Sequence, residues 1–323
     1  MIVYIRNFLQ AVLKITPFTK RALLSVLLVI VGLIFFIRPS QAASPTIWHD
    51  VATTMGGVTV TADIASPTTY CTPISPCPVI IMVHGGQWWR GTKEAWTTDL
   101  QRFTGMKGFP YQWVSMAVNY RLACNPAHPP SGVSASLCGY QYPVAKMDVQ
   151  AWVDWAQQNI INYGGDPTRI MMLGSSAGAQ IAEDLASTGH GIRAVGAWSA
   201  PSEFNPTSCG GWCSVITGYL GCSYGVCPNT WSSASSTNQV STTTVPIYVA
   251  NSTNETIGLD IAQRFVDALN AHGVTNTFTV LQGTLHAQSY QGVHLPNGKT
   301  VLNDTADWMI SHLQPIPTPT PTP

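Results

Sequence analysis

Apolar runs alternate with longer amphipathic stretches along most of the chain. From Trp48 to Ile64, apolar and polar residues alternate on either side of Met55-Gly56-Gly57, which predicts an antiparallel hairpin. Short continuous apolar runs, typical of buried strands, follow at Pro78–His84, Trp113–Asn119, Arg169–Gly174, Ala194–Ser199, Val245–Asn251 and Thr277–Leu281. Helical stretches separate these runs, among them Val144–Tyr163, Ala177–Ser187 and Leu259–His272. The pattern predicts an α/β fold, with a parallel sheet covered by helices on both faces.

Two stretches interrupt this pattern and are predicted to be insertions. They are Cys124–Tyr142 and Pro201–Thr244, and the second is rich in Cys, Ser, Thr and Gly. Both follow the carboxyl ends of predicted strands, where open α/β sheets bind ligands. We therefore expect the two Cys-containing insertions to form walls of a substrate pocket.

The two ends of the chain differ from its middle. Residues 1–43 carry five basic residues and no acidic one, and the apolar run Ala22–Ile37 precedes the small residues Ser40 and Ala42. This pattern predicts a cleaved signal peptide or, alternatively, a retained N-terminal membrane anchor, and both interpretations export the rest of the chain. Residues 314–323 are rich in Pro and Thr, which predicts a linker to a further C-terminal module or a disordered tail. Residues 44–313 are then the folded domain.

The charge content of the chain limits the kinds of molecule that it is expected to bind. Charged residues make up 9% of the chain, well below the ~25% of an average protein. Residues 44–323 hold ten Lys or Arg against fifteen Asp or Glu, a net charge of −5. Binding to nucleic acid needs clustered basic residues, so this composition argues against a nucleic-acid partner. The polar, weakly charged composition suits an extracellular or cell-surface protein.

Eight cysteines, all after the export segment, indicate an oxidising compartment. Their clustering favours local disulfides: Cys71 with Cys77, Cys124 with Cys138, and two more among Cys209, Cys213, Cys222 and Cys227. The alternative is a zinc site in the last group, but no histidine lies beside these cysteines. We therefore expect disulfides and no metal.

The strongest chemical signal is Leu173-Gly174-Ser175-Ser176-Ala177-Gly178, which contains G-x-S-x-G. A predicted strand leads into the motif and a predicted helix follows it, and this is the context in which the motif exposes a nucleophilic serine. Small residues on both sides let the chain turn tightly enough to project the Oγ above the sheet. Ser176 is therefore the predicted nucleophile, and Ser175 occupies the first variable position of the motif.

A second signal, His84-Gly85-Gly86-Gln87-Trp88-Trp89, ends an earlier predicted strand. Glycines let a backbone approach a substrate closely, and acyl transfer requires preorganised N–H donors for the developing oxyanion. We predict Gly86 and Gln87 as two of these donors, joined by the N–H of Ala177 after the nucleophile. His84 leads the loop, a position that suits a loop-shaping residue better than a base.

The base and the acid are expected late in the chain, since triads built on this motif run in the order Ser, acid, His. His286 follows the last predicted strand and is the predicted base, with His294 as the alternative. The acid should follow the strand Val245–Asn251, where Glu255 is the first ionisable residue. Glu255 has an alternative role as an acidic residue at a helix N-terminus, where it interacts favourably with the helix dipole.

These motifs resemble the α/β-hydrolase superfamily from about Val79 to His312, and in particular bacterial esterases of the hormone-sensitive-lipase and feruloyl-esterase-like group. The residues that carry the resemblance are His84-Gly85-Gly86-x-Trp88, Asn119-Tyr120-Arg121-Leu122, Asp148 through Trp155 leading to Gly164-Gly165-Asp166-Pro167, the turn at Ser176, and Gly283 with His286. The resemblance implies an α/β-hydrolase fold with a mostly parallel eight-stranded sheet, no cofactor, and ester hydrolysis through an acyl-enzyme.

One position departs from the family pattern, because Asn254 stands where the family places its triad Asp and Glu255 follows it. Three interpretations stay open: Glu255 supplies the acid, Asn254 orients the base as a neutral group, or the activity is impaired. The predicted function is an exported serine esterase acting on a small or polysaccharide-linked ester, such as an acetyl or feruloyl ester. The alternatives are a catalytically impaired surface-binding protein and an amidase or peptidase on the same fold.

Overall fold

The computed structural model describes residues 44–106, 109–207 and 209–313. The predicted signal peptide or anchor, 1–43, and the predicted linker, 314–323, lie outside the described residues. Within the described ranges, no helix combines the length and the apolar character that crossing a membrane requires.

Eight strands of the described chain form one sheet in the order β1-β2-β4-β3-β5-β6-β7-β8. Their bounds are β1 Thr46–Met55, β2 Val58–Ser66, β3 Cys77–Val83, β4 Val114–Val118, β5 Gly165–Ser175, β6 Ile192–Trp198, β7 Ile247–Ser252 and β8 Asn276–Leu281. β1 and β2 form the predicted antiparallel hairpin, and β2 also runs antiparallel to β4. All other neighbouring strands are parallel, which confirms the mostly parallel eight-stranded sheet.

Helices cover both faces of the sheet, as predicted. Their bounds are α1 Thr97–Arg102, α2 Val144–Asn159, α3 Ala177–Ala186, α4 Cys213–Leu220, α5 Pro228–Ala234, α6 Leu259–Ala271 and α7 Val301–Ser311. On one face, α2, α3 and α6 bury side chains such as Trp152, Ile181 and Phe265 against the strands. On the other face, α1 and α7 do the same with Leu100 and Met309. Because neighbouring residues of a strand face opposite sides, each parallel strand contributes to both apolar layers.

The two insertions lie at the same end of the sheet, after β4 and after β6, and the second contains α4 and α5. All eight cysteines pair within short stretches of chain: Cys71–Cys77, Cys124–Cys138, Cys209–Cys213 and Cys222–Cys227. The local pairing predicted from their clustering is therefore confirmed. No cysteine keeps a free thiol that could bind zinc.

Candidate active site

Ser176 lies in a tight turn between β5 and α3, at φ 53° and ψ −120°. The glycines of the motif make this turn possible. A Cβ on Gly174 would lie 2.3 Å from Gly178 O, and a Cβ on Gly178 would lie 2.3 Å from Val83 O of β3. Both oxygens are backbone atoms, one in α3 and one in β3, so they cannot move aside. The packing of the turn against β3 therefore requires the G-x-S-x-G spacing.

The two adjacent serines at this turn differ in position and exposure. Ser175 completes β5 and is 2% exposed, whereas Ser176 is 7% exposed. Ser176 N–H donates to Trp198 O at 2.8 Å, which ties the turn to the end of β6. A positive φ is unfavourable for a serine and persists only where the surrounding structure holds it. The turn thus presents Ser176 at the N-terminus of α3 in the geometry that the motif predicts.

His286 and Glu255 form a hydrogen-bonded pair in which His286 Nδ1 donates to Glu255 Oε2. Because a carboxylate oxygen accepts this hydrogen bond, Nδ1 carries its proton, and in the neutral imidazole Nε2 is then the nitrogen that keeps its lone pair. The side chain of Glu255 is fully buried, whereas that of His286 is 33% exposed. A buried carboxylate therefore orients an imidazole that still reaches the surface.

The two alternative residues lie elsewhere. Asn254 is exposed, and its backbone N–H donates to Gly283 O at 2.9 Å. His294 is exposed too, in a β-bridge with Thr300. The structure therefore brings Glu255, and not Asn254, to His286.

Ser199, for which the sequence indicated no role, joins three elements behind the His286–Glu255 pair. It directly follows β6 at φ 53°, and its Oγ donates to Glu255 Oε1 at 2.9 Å. The same Oγ accepts the Ala287 N–H at 2.8 Å. Ser252 N–H also donates to Glu255 Oε1, at 2.7 Å. In the sequence, the only indication of a role for Ser199 is that it is a polar residue directly after a buried strand.

The loop after β3 contains three consecutive residues with positive φ: Gly86 at 119°, Gln87 at 63° and Trp88 at 60°. A Cβ at Gly86 would lie 2.0 Å from Arg90 O, so this position requires glycine. Among the described residues, no protein acceptor binds the backbone N–H of Gly86, Gln87 or Ala177. These three predicted donors are thus free to stabilise an oxyanion.

His84 is 1% exposed and packs beneath this loop. Its ring stacks on Tyr120 with the centroids 4.3 Å apart, and its Nδ1 lies 2.8 Å from Gly85 O. Burial lowers the pKa of His84 to about 4, so the ring is neutral at pH 7 and Nδ1 donates to Gly85 O. These contacts agree with a loop-shaping role for His84.

The segment Asn119–Leu122, part of the family resemblance, anchors both ends of the same loop. Asn119 Oδ1 accepts the Lys93 N–H at 2.8 Å at the end of the loop. Tyr120 OH donates to His84 O at 2.8 Å at its start. The segment Asn119–Leu122, which directly follows β4, therefore fixes the loop after β3 in place.

Two neighbouring clefts open beside these residues. Ser176 and His286 line the first, the serine cleft, of about 430 Å³, together with Gly85, Gly86, Gln87, Arg90, Ala95, Ser175, Trp212, Thr256, Ala287, Gln288 and Ser289. The second, the side cleft, has a volume of about 500 Å³ and is lined by Gln87, Trp89, Arg90, Cys124, Asn125, His128, Pro130, Ser214 and Val215. Residues of both insertions line the clefts, in the position expected of pocket walls.

Curated relatives match about a third of the chain. Esterase LipC from Mycobacterium tuberculosis is 30% identical over 110 residues, which are 34% of this chain and 23% of the relative. Carboxylesterase NlhH from the same species is 34% identical over 109 residues, which are 34% of this chain and 28% of the relative. The chain thus spans only about a quarter of the length of these relatives.

Solved structures match nearly the whole fold. An esterase from Pseudomonas putida has a TM-score of 0.63 at 17% identity, covering 94% of this chain and 92% of that one. An esterase from Thermogutta terrifontis has a TM-score of 0.62 at 16% identity, covering 84% and 95%. These similarities confirm the α/β-hydrolase fold. The BD-FAE family model matches residues 62–263, more than half of the chain. The chain therefore belongs to the BD-FAE family, in agreement with its resemblance to the hormone-sensitive-lipase and feruloyl-esterase-like group.

Proposed function

We propose that this protein is an exported serine hydrolase of carboxylic esters, with Ser176 as nucleophile, His286 as base and Glu255 as acid. The observation that carries the proposal is the contact of His286 with the buried Glu255, because His286 and Ser176 line the same cleft. The membership of the BD-FAE family and the esterase relatives support the same reaction class.

In the proposed mechanism, His286 Nε2 takes the hydroxyl proton of Ser176 while Oγ attacks the ester carbonyl carbon. The N–H groups of Gly86, Gln87 and Ala177 stabilise the oxyanion of the tetrahedral intermediate. As the intermediate collapses, the bond to the alcohol oxygen breaks and His286 protonates the leaving alcohol. A water molecule, deprotonated by His286, then attacks the acyl carbon. In this second step the acyl–Oγ bond breaks, His286 returns the proton to Ser176 Oγ, and the carboxylic acid is released.

We further propose that the substrates include acetyl or feruloyl esters carried on polysaccharide outside the cell. The basic and apolar pattern of residues 1–43, the low charge content and the four disulfides support export as a signal-bearing or anchored protein. Residues 44–313 then form the catalytic domain. The Pro/Thr segment 314–323 suits a linker to a further module.

Two alternative functions differ from this proposal, one in whether the protein is active and the other in the bond that it cleaves. A catalytically impaired surface-binding protein is suggested by Asn254, but the contact between Glu255 and His286 supplies the carboxylate that Asn254 lacks. An amidase or peptidase would use the same residues, so it differs from an esterase only in the bond that it cleaves.

Labelling with a fluorophosphonate probe tests the proposal. We expect the folded wild type to react and mass spectrometry to find the label on Ser176, because the probe modifies serines activated by a base. Ser176→Ala should lose the label, whereas Ser175→Ala, changed at the adjacent residue, should still be labelled at Ser176. A folded wild type that stays unlabelled overturns the enzyme proposal.

Rates on p-nitrophenyl acetate and on p-nitroacetanilide separate the esterase from the amidase. Both substrates carry the same acyl group, so the comparison isolates the leaving group. We expect turnover of the ester with little or none of the anilide. A higher kcat/KM on the anilide contradicts the ester assignment.

A further inference from the structure

Arg90 is unusual among the cationic side chains of this protein. Among the described lysines and arginines, Arg90 alone has a side chain with no hydrogen bond or ion pair to the protein. Arg193, the other one without a carboxylate partner, donates its Nε to Thr168 O at 2.9 Å. Acidic residues outnumber basic ones by fifteen to ten in residues 44–323, so partners for a surface arginine are plentiful. The exposed guanidinium of Arg90 is therefore free to bind a ligand.

Arg90 lies where the serine cleft and the side cleft meet, and it lines both. Its backbone holds it there, since the Arg90 N–H donates to Gly86 O at 3.1 Å. A Cβ on Gly86 would lie 3.2 Å from Arg90 Cγ, so the start of the side chain packs directly on the oxyanion loop. The guanidinium is thus attached to the same short turn as two proposed oxyanion donors.

The permanent charge that lines the two clefts is positive. Among the residues that the structure describes, no Asp or Glu lines either cleft, and Arg90 is the one permanently charged residue in both linings. The buried carboxylate of Glu255 already has the His286 imidazole, the Ser199 hydroxyl and the Ser252 N–H as donors. A guanidinium presents a planar fork of donors that matches a carboxylate with two parallel hydrogen bonds.

We propose that Arg90 forms a subsite for a carboxylate carried by the substrate, so that esters with an anionic acyl or alcohol part are preferred over neutral esters of the same shape. This inference rests on the proposed esterase function. An acidic sugar bearing an ester is one substrate of this class. The serine cleft then cleaves the ester while the adjacent cation binds the charge.

Two matched pairs of substrates test the subsite on either side of the scissile bond. On the acyl side, p-nitrophenyl hemiglutarate is compared with p-nitrophenyl pentanoate. On the alcohol side, 4-acetoxybenzoate is compared with 4-acetoxybenzamide. The readout is the ratio of kcat/KM for the anionic and the neutral member of each pair, in the wild type, Arg90→Gln and Arg90→Lys, at low and high salt.

For at least one pair, we expect Arg90→Gln to lower this ratio about five- to tenfold, since a solvent-accessible charge-assisted contact is worth about one factor of ten at most. Arg90→Lys should retain part of the preference, and salt should lower the wild-type ratio but not that of Arg90→Gln. If neutral esters are cleaved and both ratios are the same in wild type and Arg90→Gln, the subsite is overturned and the esterase function stands. If the wild type cleaves no ester, both proposals fail.

Discussion

Ser199 Oγ lies 2.9 Å from Glu255 Oε1, so a serine at the end of β6 holds a carboxylate that follows β7. The same oxygen accepts the N–H of Ala287, the residue after His286. One hydroxyl therefore connects the acid of the proposed triad with the loop that carries the base.

We predict that Ser199→Ala lowers kcat about ten- to hundredfold with little change in KM, because a hydrogen bond to a charged group is lost. Ser199→Gly separates the hydroxyl from the backbone strain, since glycine accepts a φ of 53° freely. Steady-state kinetics should show a comparable loss in both variants. Full activity in Ser199→Gly would mean that the hydroxyl has no positioning role.

Replacing Glu255 distinguishes the two candidate acids. Glu255→Gln should lower kcat by a factor on the order of 10⁴, as expected when a triad carboxylate becomes neutral. The matched control is Asn254→Ala, which should remain near wild type because Asn254 is exposed and bonds Gly283 only through its backbone. The assignment of Glu255 is wrong if the two variants lose activity equally or if Glu255→Gln is as active as the wild type.

Gly178→Ala should destabilise the fold. Its Cβ would lie 2.3 Å from Val83 O and 2.5 Å from His84 O, both backbone atoms, so α3 must shift from β3. We expect the free energy of unfolding to fall by about 3 kcal/mol or more, at the upper end of overpacking effects. Denaturant titration measures this, with Gly225→Ala as control, because a Cβ there meets nothing within 4 Å. Equal stability of the two variants contradicts the close approach.

Stability should depend on pH through Asp184, a buried residue of α3. Burial raises its pKa from 3.8 to about 7, and Lys146 Nζ lies 3.8 Å away. Because the pKa is higher in the folded state, the stabilising contribution of the group is complete below about pH 4 and is lost as the pH rises to about 7. Asp184→Asn removes this titration.

Asp184→Asn should therefore be more stable than the wild type at pH 8, by about 2 kcal/mol or more, and closer to the wild type at pH 4.5. Thermal or urea unfolding at both pH values measures the difference. A difference that stays constant between pH 4.5 and 8 would show that Asp184 does not titrate in this range.

Local patterns were enough to predict the sheet, the Ser176 turn and the glycine loop after β3. The turn depends on residues within two positions of Ser176, and glycines at 174 and 178 are visible in the sequence. Buried parallel strands are also visible, since both of their faces are apolar and they read as continuous apolar runs.

Which of Asn254 and Glu255 contacts His286 depends on long-range contacts, and these are not visible in the local sequence pattern. The chain after β7 continues to pair with the chain after β8, through Thr253 N–H to Leu281 O and Asn254 N–H to Gly283 O, both 2.9 Å. This pairing leaves Asn254 exposed and lets Glu255 fold back to Ser199, 56 residues earlier in the chain. Contacts with residues of other strands therefore determine which of these two adjacent residues reaches His286.

The four disulfides close short loops, with partners 4 to 14 positions apart in the chain. The sheet, in contrast, places β3 between β4 and β5 and so needs strands from distant parts of the chain. Each cystine can therefore form before those strands meet. Each cysteine is paired with its nearest cysteine in the sequence, so any other partner closes a longer loop for that cysteine and costs more entropy. Oxidation and sheet assembly are consequently separable steps in the maturation of this protein, and its dependence on a disulfide isomerase should be small.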